Sequence, residues 1–183
     1  MLKKSQNPPV LWPRDQAINE MAGYWWAVHV KPRQEKALAR EIVRGCGGYF
    51  LPMYEKALHS KGRSWRSLVV LFPGYLFFCG GEPDRIALLS TGRAVRLIPV
   101  PDRDRFVREL SAIERMIDND MPIGPVSKLT RGRPCRIIDG PLAGSEGVVE
   151  RRQGRRRFVV MVSMLGQGAA VEVDAESLEP LDR

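Results

Sequence analysis

The chain has little of what catalysis and metal binding use. Two histidines, His29 and His59, and three cysteines, Cys46, Cys79 and Cys135, are spread over 183 residues. The cysteines lie far apart with no CxxC between them, which argues against a disulfide framework or a zinc site and for a reducing compartment. There is no GxSxG elbow and no P-loop. His29 alternates with its neighbours on an extended stretch and reads as a surface or packing residue. Asp102 and Asp104 stand at a helix start, where carboxylates favour the dipole, so they read as caps rather than metal ligands. Nothing assembles an active site, and the chain reads as a non-enzyme that needs no cofactor and no metal.

Long apolar runs are missing too. The longest mostly apolar stretch, Leu68 to Cys79, contains Pro73 and Gly74 and is too short to span a bilayer. The opening MLKKSQNPPVLWPRD has two lysines but no apolar run behind them, unlike a secretory signal. A cytoplasmic monomer with no membrane partner is the expectation.

What is present is a foldable, basic chain. Apolar residues make up 44% and charged residues 27%, enough to bury a core. Lys plus Arg is 29 against 21 Asp plus Glu, a net charge of +8, which suits phosphates or an acidic protein surface. Most of that excess falls in residues 23–118, with 16 basic and 10 acidic residues.

Residues 1–22, with Pro8, Pro9 and Pro13 and no sustained period, read as a disordered tail or one loose helical turn. Trp25 to Val30 reads as a strand, and Pro32 as the opening of a helix with an apolar stripe of Leu38, Ala39, Ile42 and Val43. Tyr49 to Lys56 is a second strand marked by Pro52, HSKGRS a basic turn, and Ser67 to Cys79 a third extended stretch broken at Pro73-Gly74. A short helix over Pro83 to Ser90, a strand over Ala94 to Val100 and a helix carrying Phe106, Leu110, Ile113 and Ile117 follow. The order β-α-β-β-α-β-α fits an α+β, ferredoxin-like split βαβ domain over 23–118 with one added helix. Residues 119–127 read as a linker. Five short strands follow within 128–183: Cys135 to Ile138, Gly147 to Glu150, Phe158 to Ser163, Ala169 to Val173 and Ser177 to Leu181. They predict a small β-barrel.

Two stretches stand out as binding features. LFPGYLFF, Leu71 to Phe78, puts a Pro-Gly bend inside an aromatic run. With Tyr24, Trp25 and Trp26 it holds more rings than one face of a small sheet easily hides, and an exposed aromatic patch with a basic rim is a protein-docking surface. Some of these residues, Leu71, Leu76 and Phe78 among them, also fit a kinked core strand. RPCRIIDGPLAGSEGVVE, Arg133 to Glu150, runs a strand into a Gly-Pro turn and back into a strand.

On these stretches the chain resembles the NusG family of transcription elongation factors. YWWAVHVKPRQEKALA and LFPGYLFF are similar to its N-terminal (NGN) domain. RGRPCRIIDGPLAGSEGVVE and FVVMVSMLGQGAAVEVDAESLEPL are similar to its KOW domain, an SH3-like five-stranded β-barrel. The resemblance spans residues 24–183. It implies that the first domain docks on the clamp of RNA polymerase and suppresses pausing or termination, with Phe72 and Tyr75 as docking aromatics and Trp25 and Trp26 lining or supporting the pocket. It implies that the KOW domain recruits a further factor, Rho or a small-subunit ribosomal protein. In that setting Lys61, Arg63, Trp65 and Arg66 in the basic turn, and Arg93 on another loop, are candidates for contact with upstream or non-template DNA. A solvated hairpin tip fits the basic turn equally.

The chain departs from the family at one loop. Where NusG proteins usually carry Ile-Phe-Gly, it has Met164-Leu165-Gly166, an apolar tip without a ring. The run RRQGRRRF adds Arg151, Arg152, Arg155 and Arg156 as candidates for partner or RNA binding. Together these favour a specialised paralogue of the RfaH kind. The period-two alternation of FVVMVS and AAVEVD predicts strands there rather than a helical hairpin. The competing reading is a KOW-type RNA-binding or ribosome-associated protein, with the barrel arginines carrying the affinity.

Overall fold

A computed structural model describes residues 6–45, 47–60, 62–126, 132–152 and 155–181. The chain divides into two compact units between Arg103 and Asp104. No helix among the described residues is long and apolar enough to cross a membrane.

In chain order the first unit carries β1 (Leu11–Trp12), β2 (Tyr24–Val30), α1 (Glu35–Ile42), β3 (Gly48–Phe50), β4 (Met53–Ser60), β5 (Arg63–Val70), β6 (Tyr75–Gly80), α2 (Glu82–Ser90) and β7 (Ala94–Pro99). Five strands form one antiparallel sheet in the order β1-β3-β6-β2-β7, and β4 pairs with β5 in a separate two-stranded sheet. Successive strand side chains point to opposite faces, so β2 serves two layers. Val28 and Val30 join Leu38, Ala39 and Ile42 of α1, Leu88 of α2, and Tyr49, Leu51, Leu76 and Phe78 in one buried cluster. Trp25 and Ala27, also buried, belong to the other face. There Phe50 stacks on Phe77 at 6.3 Å between centroids, and Phe72 meets Phe77 edge-on at 5.4 Å.

The apolar stripe of α1 is the expected one, but the helix begins at Glu35 rather than at Pro32. Arg33 adopts a positive φ of 63°, and the Gln34 amide donates to the Lys31 carbonyl at 3.0 Å, so the chain turns before it coils. The single strand expected over Tyr49 to Lys56 is two strands, β3 and β4. Pro52 lacks an amide and breaks the ladder between them. The Leu71 amide then donates to the Pro52 carbonyl at 2.8 Å and closes the base of the β4–β5 hairpin.

Residues 6–22 are not a tail. Leu11 and Trp12 pair with Phe50 and Tyr49, Ile18 and Met21 are buried, and the Leu51 amide donates to the Val10 carbonyl at 2.7 Å. The Tyr49 hydroxyl donates to the Pro9 carbonyl at 2.9 Å, and Lys36 Nζ donates to Asn7 Oδ1 at 2.6 Å. Burial pushes the Tyr49 phenol well above its ordinary pKa. These anchors are long-range, and a two-residue strand carries no period, so sequence patterning does not reveal them.

The second unit begins with α3 (Arg103–Asp118), most of which lies in it. Then come β8 (Gly124–Val126), β9 (Arg133–Ile137), β10 (Glu146–Arg152), β11 (Arg155–Val162), β12 (Gln167–Glu172) and β13 (Leu178–Pro180). Neighbouring strands are antiparallel in the order β13-β9-β10-β11-β12-β8. Phe158, Val160 and Val162 of β11, Ala169 and Val171 of β12, and Ile137 of β9 are buried. β11 and β12 stand where alternating residues predict strands and β10 where a short strand is expected, and the expected linker is shorter, because Gly124 to Val126 pair with Ala170 to Gly168. The long helix expected at the end of the first domain groups instead with this unit. Its Arg115 donates to Ser145 Oγ at 2.8 Å and to the Ala143 carbonyl at 3.2 Å.

Candidate functional site

The FPGY turn, Phe72 to Tyr75, is a candidate feature held by three hydrogen bonds. Gly74 takes a φ of 83°, a region an L side chain rarely adopts. The Tyr75 amide donates to the Phe72 carbonyl at 3.0 Å and closes the turn. Two further bonds fix it in space. The Val30 amide donates to the Gly74 carbonyl at 2.8 Å, and the Gly74 amide donates to Glu35 Oε1 at 2.8 Å. The turn is therefore bound both to the end of β2 and to the start of α1.

This scaffold sorts the four expected docking aromatics. Tyr75 lies opposite His29 in the β2–β6 register, with ring centroids 5.4 Å apart, and His29 lies opposite Arg96 of β7. His29 and Arg96 are exposed and Tyr75 is half-buried. Phe72 and Trp25 are 1% and 3% exposed, so neither presents a ring to solvent. Trp25 shares the Tyr75 face one end of the sheet away. Trp26, one residue on, belongs to the opposite face, half-buried against Phe78 at 5.8 Å and beside the exposed Tyr24 at 6.1 Å. His29 and Arg96 were not among the expected docking residues. Cross-strand register is what brings them to Tyr75, and sequence alone does not set it.

The expected nucleic-acid residues separate as well. Trp65 is 37% exposed and lies directly across from Leu58 on the β4–β5 ribbon. Arg66 sits on the next rung, with its side chain 81% exposed and 3.5 Å from Glu55. Arg93 is not on this ribbon. Its Nε pairs with Glu41 at 2.7 Å and its Nη1 bonds Gln34, so it ties the loop before β7 to α1. Lys61 lies outside the described residues, and of Arg63 only the backbone is described.

In the second unit Met164 and Leu165 sit, half-buried, in a 3-10 turn from Ser163 to Leu165 that Gly166 closes with a φ of 61°. Glu109 of α3 accepts from the Ser163 amide at 2.9 Å and from its hydroxyl. Arg155 pairs with Glu172 at 2.9 Å, and Arg157 with Glu150 at 3.1 Å. Arg156 is exposed; Arg151 and Arg152 are described by backbone alone. Among the described residues no three His, Cys, Asp or Glu side chains come together in a metal-holding group.

The first unit holds an aromatic turn beside the strand pair that carries His29 and Arg96, and the second is an antiparallel sheet. The family model "Transcription termination factor nusG" matches residues 23–116, and the chain belongs to that family. The match runs through most of α3, beyond the end of the first compact unit. The chain is 25% identical over 179 residues to the transcription termination/antitermination protein NusG of Pseudomonas aeruginosa, covering 87% of this chain and 99% of that one. It is also 25% identical over 179 residues to the protein of the same name from Xylella fastidiosa, covering 82% and 95%.

Proposed function

We propose that this NusG-family chain is a transcription termination/antitermination factor that docks on the clamp of RNA polymerase through its first unit and recruits a second factor through its second. The observation that carries the reading is the FPGY turn, clamped by Glu35 and Val30 so that Tyr75 stands beside His29 and Arg96, inside the segment that matches the family. Tyr75 is the contact residue, and Phe72 and Trp25, both buried, support the core rather than the contact. The strand order β7-β2-β6-β3, with α1 and α2 as crossovers, supports a ferredoxin-like N-terminal domain. The antiparallel sheet β9 to β13 supports a KOW domain.

The mechanism is a bias on conformation. A ligand that binds one clamp position better than another shifts the population toward it, and a difference of about 1.4 kcal/mol is a tenfold change. Trp65 and Arg66 on the β4–β5 ribbon are the groups we assign to contact with displaced non-template DNA, by stacking and by charge. Met164 and Leu165 offer Rho or a ribosomal protein an apolar contact without a ring, which fits a specialised paralogue.

The test is retention of purified core polymerase by the full chain. Tyr75→Ala is expected to reduce retention with the melting temperature little changed, and Trp26→Ala, on the other face, to leave retention intact. Retention unaltered by Tyr75→Ala removes the docking assignment. Ribosomal RNA retained in place of polymerase selects the KOW-type RNA-binding reading instead.

A further inference from the structure

The β4–β5 ribbon leaves the core of the first unit at one rung. Met53 at its root is buried, and Leu68 and Val70 pack on the core cluster. Leu68 pairs with Glu55. Beyond that rung Lys56, Ala57, His59, Ser64, Trp65 and Arg66 are exposed. Among the described strands β4 and β5 pair only with each other. A lone two-stranded ribbon is marginal in water, and its own ladder does not set its angle to the five-stranded sheet. Five rungs lie beyond Leu68 and Glu55, and at about 3.4 Å each they carry the tip roughly 17 Å outward. A small change of angle at the exit therefore moves Trp65 a long way.

Lys36 of α1 grips the ribbon at that exit. Its Nζ donates to the Leu68 carbonyl at 2.7 Å and to Asn7 Oδ1 at 2.6 Å. Both acceptors are neutral oxygens. Burial, with Arg40 nearby, pushes the ammonium below its ordinary pKa, so a charge is held here at a cost that an apolar side chain would not carry. Asn7 is fastened to the body of the unit in turn. Arg40 Nη2 donates to the Gln6 carbonyl at 2.8 Å, and Val10 and Trp12 pack on the core. The Leu51 amide donates to the Val10 carbonyl at 2.7 Å, one residue before Pro52, where the chain passes from β3 into the ribbon.

We propose that residues 6–12 are a brace that fixes the angle of the β4–β5 ribbon, with Lys36 as the positioning residue at its joint. A brace needs an anchor on the body, a joint where the arm leaves, and an arm long enough to aim. The pairing of β1 with β3, the bond from Lys36 to Leu68 and the outer rungs of the ribbon are these three parts. The family match begins at residue 23, so the brace is built from a segment outside the matched domain. Its functional consequence rests on the assignment of Trp65 and Arg66 to displaced DNA: an arm already held at one angle loses less conformational freedom on contact.

The experiment is NMR on the full chain, without polymerase or DNA, so its failure leaves the docking reading standing. Lys36→Met keeps an aliphatic stem and removes both bonds. Exchange of the protected amides in residues 54–59 and 64–69 is expected to rise about tenfold, the scale of one lost hydrogen bond from a charged donor, while β2 and β6 keep theirs. Residual dipolar couplings of the same ribbon amides are expected to fit the alignment of β2 and β6 in the wild type and to shrink relative to it in Lys36→Met. Asn7→Ala leaves the bond to Leu68 and is expected to raise ribbon exchange less. Asn7→Asp gives the ammonium a charged acceptor and is expected not to raise it. The brace is overturned if Lys36→Met leaves ribbon exchange and couplings at their wild-type values, if exchange rises equally in β2, β6 and the ribbon, or if Asn7→Ala has no effect on the ribbon.

Discussion

Glu35, at the start of α1, holds the Gly74 amide of the FPGY turn at 2.8 Å from Oε1. Glu35 is 8% exposed, one of two buried polar residues among those described. A helix end thereby fixes a turn 39 positions away, and the turn fixes Tyr75.

Replacing Glu35 by alanine leaves the part-buried Gly74 N–H without its carboxylate, which costs up to about 1–3 kcal/mol. Glu35→Gln keeps an oxygen in place and loses less. Urea denaturation is expected to show a clear fall in midpoint for Glu35→Ala and a smaller one for Glu35→Gln. Equal midpoints for wild type and Glu35→Ala would show that the bond contributes nothing to stability.

Phe72 and Tyr75 stand three residues apart and differ in burial. Phe72→Ala empties a site 1% exposed and packed edge-on to Phe77, and is expected to lower stability by about 3–5 kcal/mol. Tyr75→Ala removes a half-exposed ring and is expected to cost less than about 1.5 kcal/mol. Thermal melts of the two variants separate them. If Phe72→Ala melts with the wild type, the ring is not a core residue and returns as a candidate contact.

The contrast shows what the sequence carries. The strand and helix order was legible because Trp25 to Val30, the α1 stripe and the β11–β12 alternation each have a strong local period. The resemblance of YWWAVHV and LFPGYLFF pointed to the family that the match over residues 23–116 establishes. Which ring faces out was not legible. Trp25 and Trp26 differ by one residue and therefore by one whole face, and that depends on what packs on each side. Arg93 read as a free loop cation because Glu41, its partner at 2.7 Å, is 52 positions away. The anchoring of residues 6–22 escaped for the same reason: its hydrogen bonds to Lys36, Tyr49 and Leu51 are all non-local.

Cys79 gives a pH-dependent readout of the first unit. Burial pushes its thiol from an ordinary 9.0 up to about 11. Below pH 9 the thiol is neutral in both folded and unfolded chains, and the contribution to stability is fully present. Between pH 9 and 11 the unfolded chain ionises first, so that contribution is lost as pH rises. Iodoacetamide at pH 8 is expected to modify Cys79 slowly in the native protein and rapidly in urea, read by peptide mass spectrometry. Cys79→Ala is expected to flatten part of the stability loss above pH 9. Rapid native labelling of Cys79 at pH 8 would contradict the burial.

Glu109 and Ser163 give a test in the second unit. Glu109 accepts from both the amide and the hydroxyl of Ser163, and Arg105 holds the same carboxylate at 3.0 Å while donating to Ser163 Oγ at 2.6 Å. The turn that carries Met164 and Leu165 is thus fastened at its first residue to α3. Hydrogen bonds to a charged acceptor contribute about 1.5–3 kcal/mol, and about 1.4 kcal/mol is a factor of ten. Glu109→Ala is expected to speed exchange of the Ser163 amide by about 10–100-fold, while Ile137, bonded to Ser145 on β9, keeps its protection. Glu109→Gln retains an acceptor and is expected to fall between. Exchange at Ser163 unchanged by Glu109→Ala would mean the turn is held by its own strand ladder and that α3 has no grip on Met164 and Leu165.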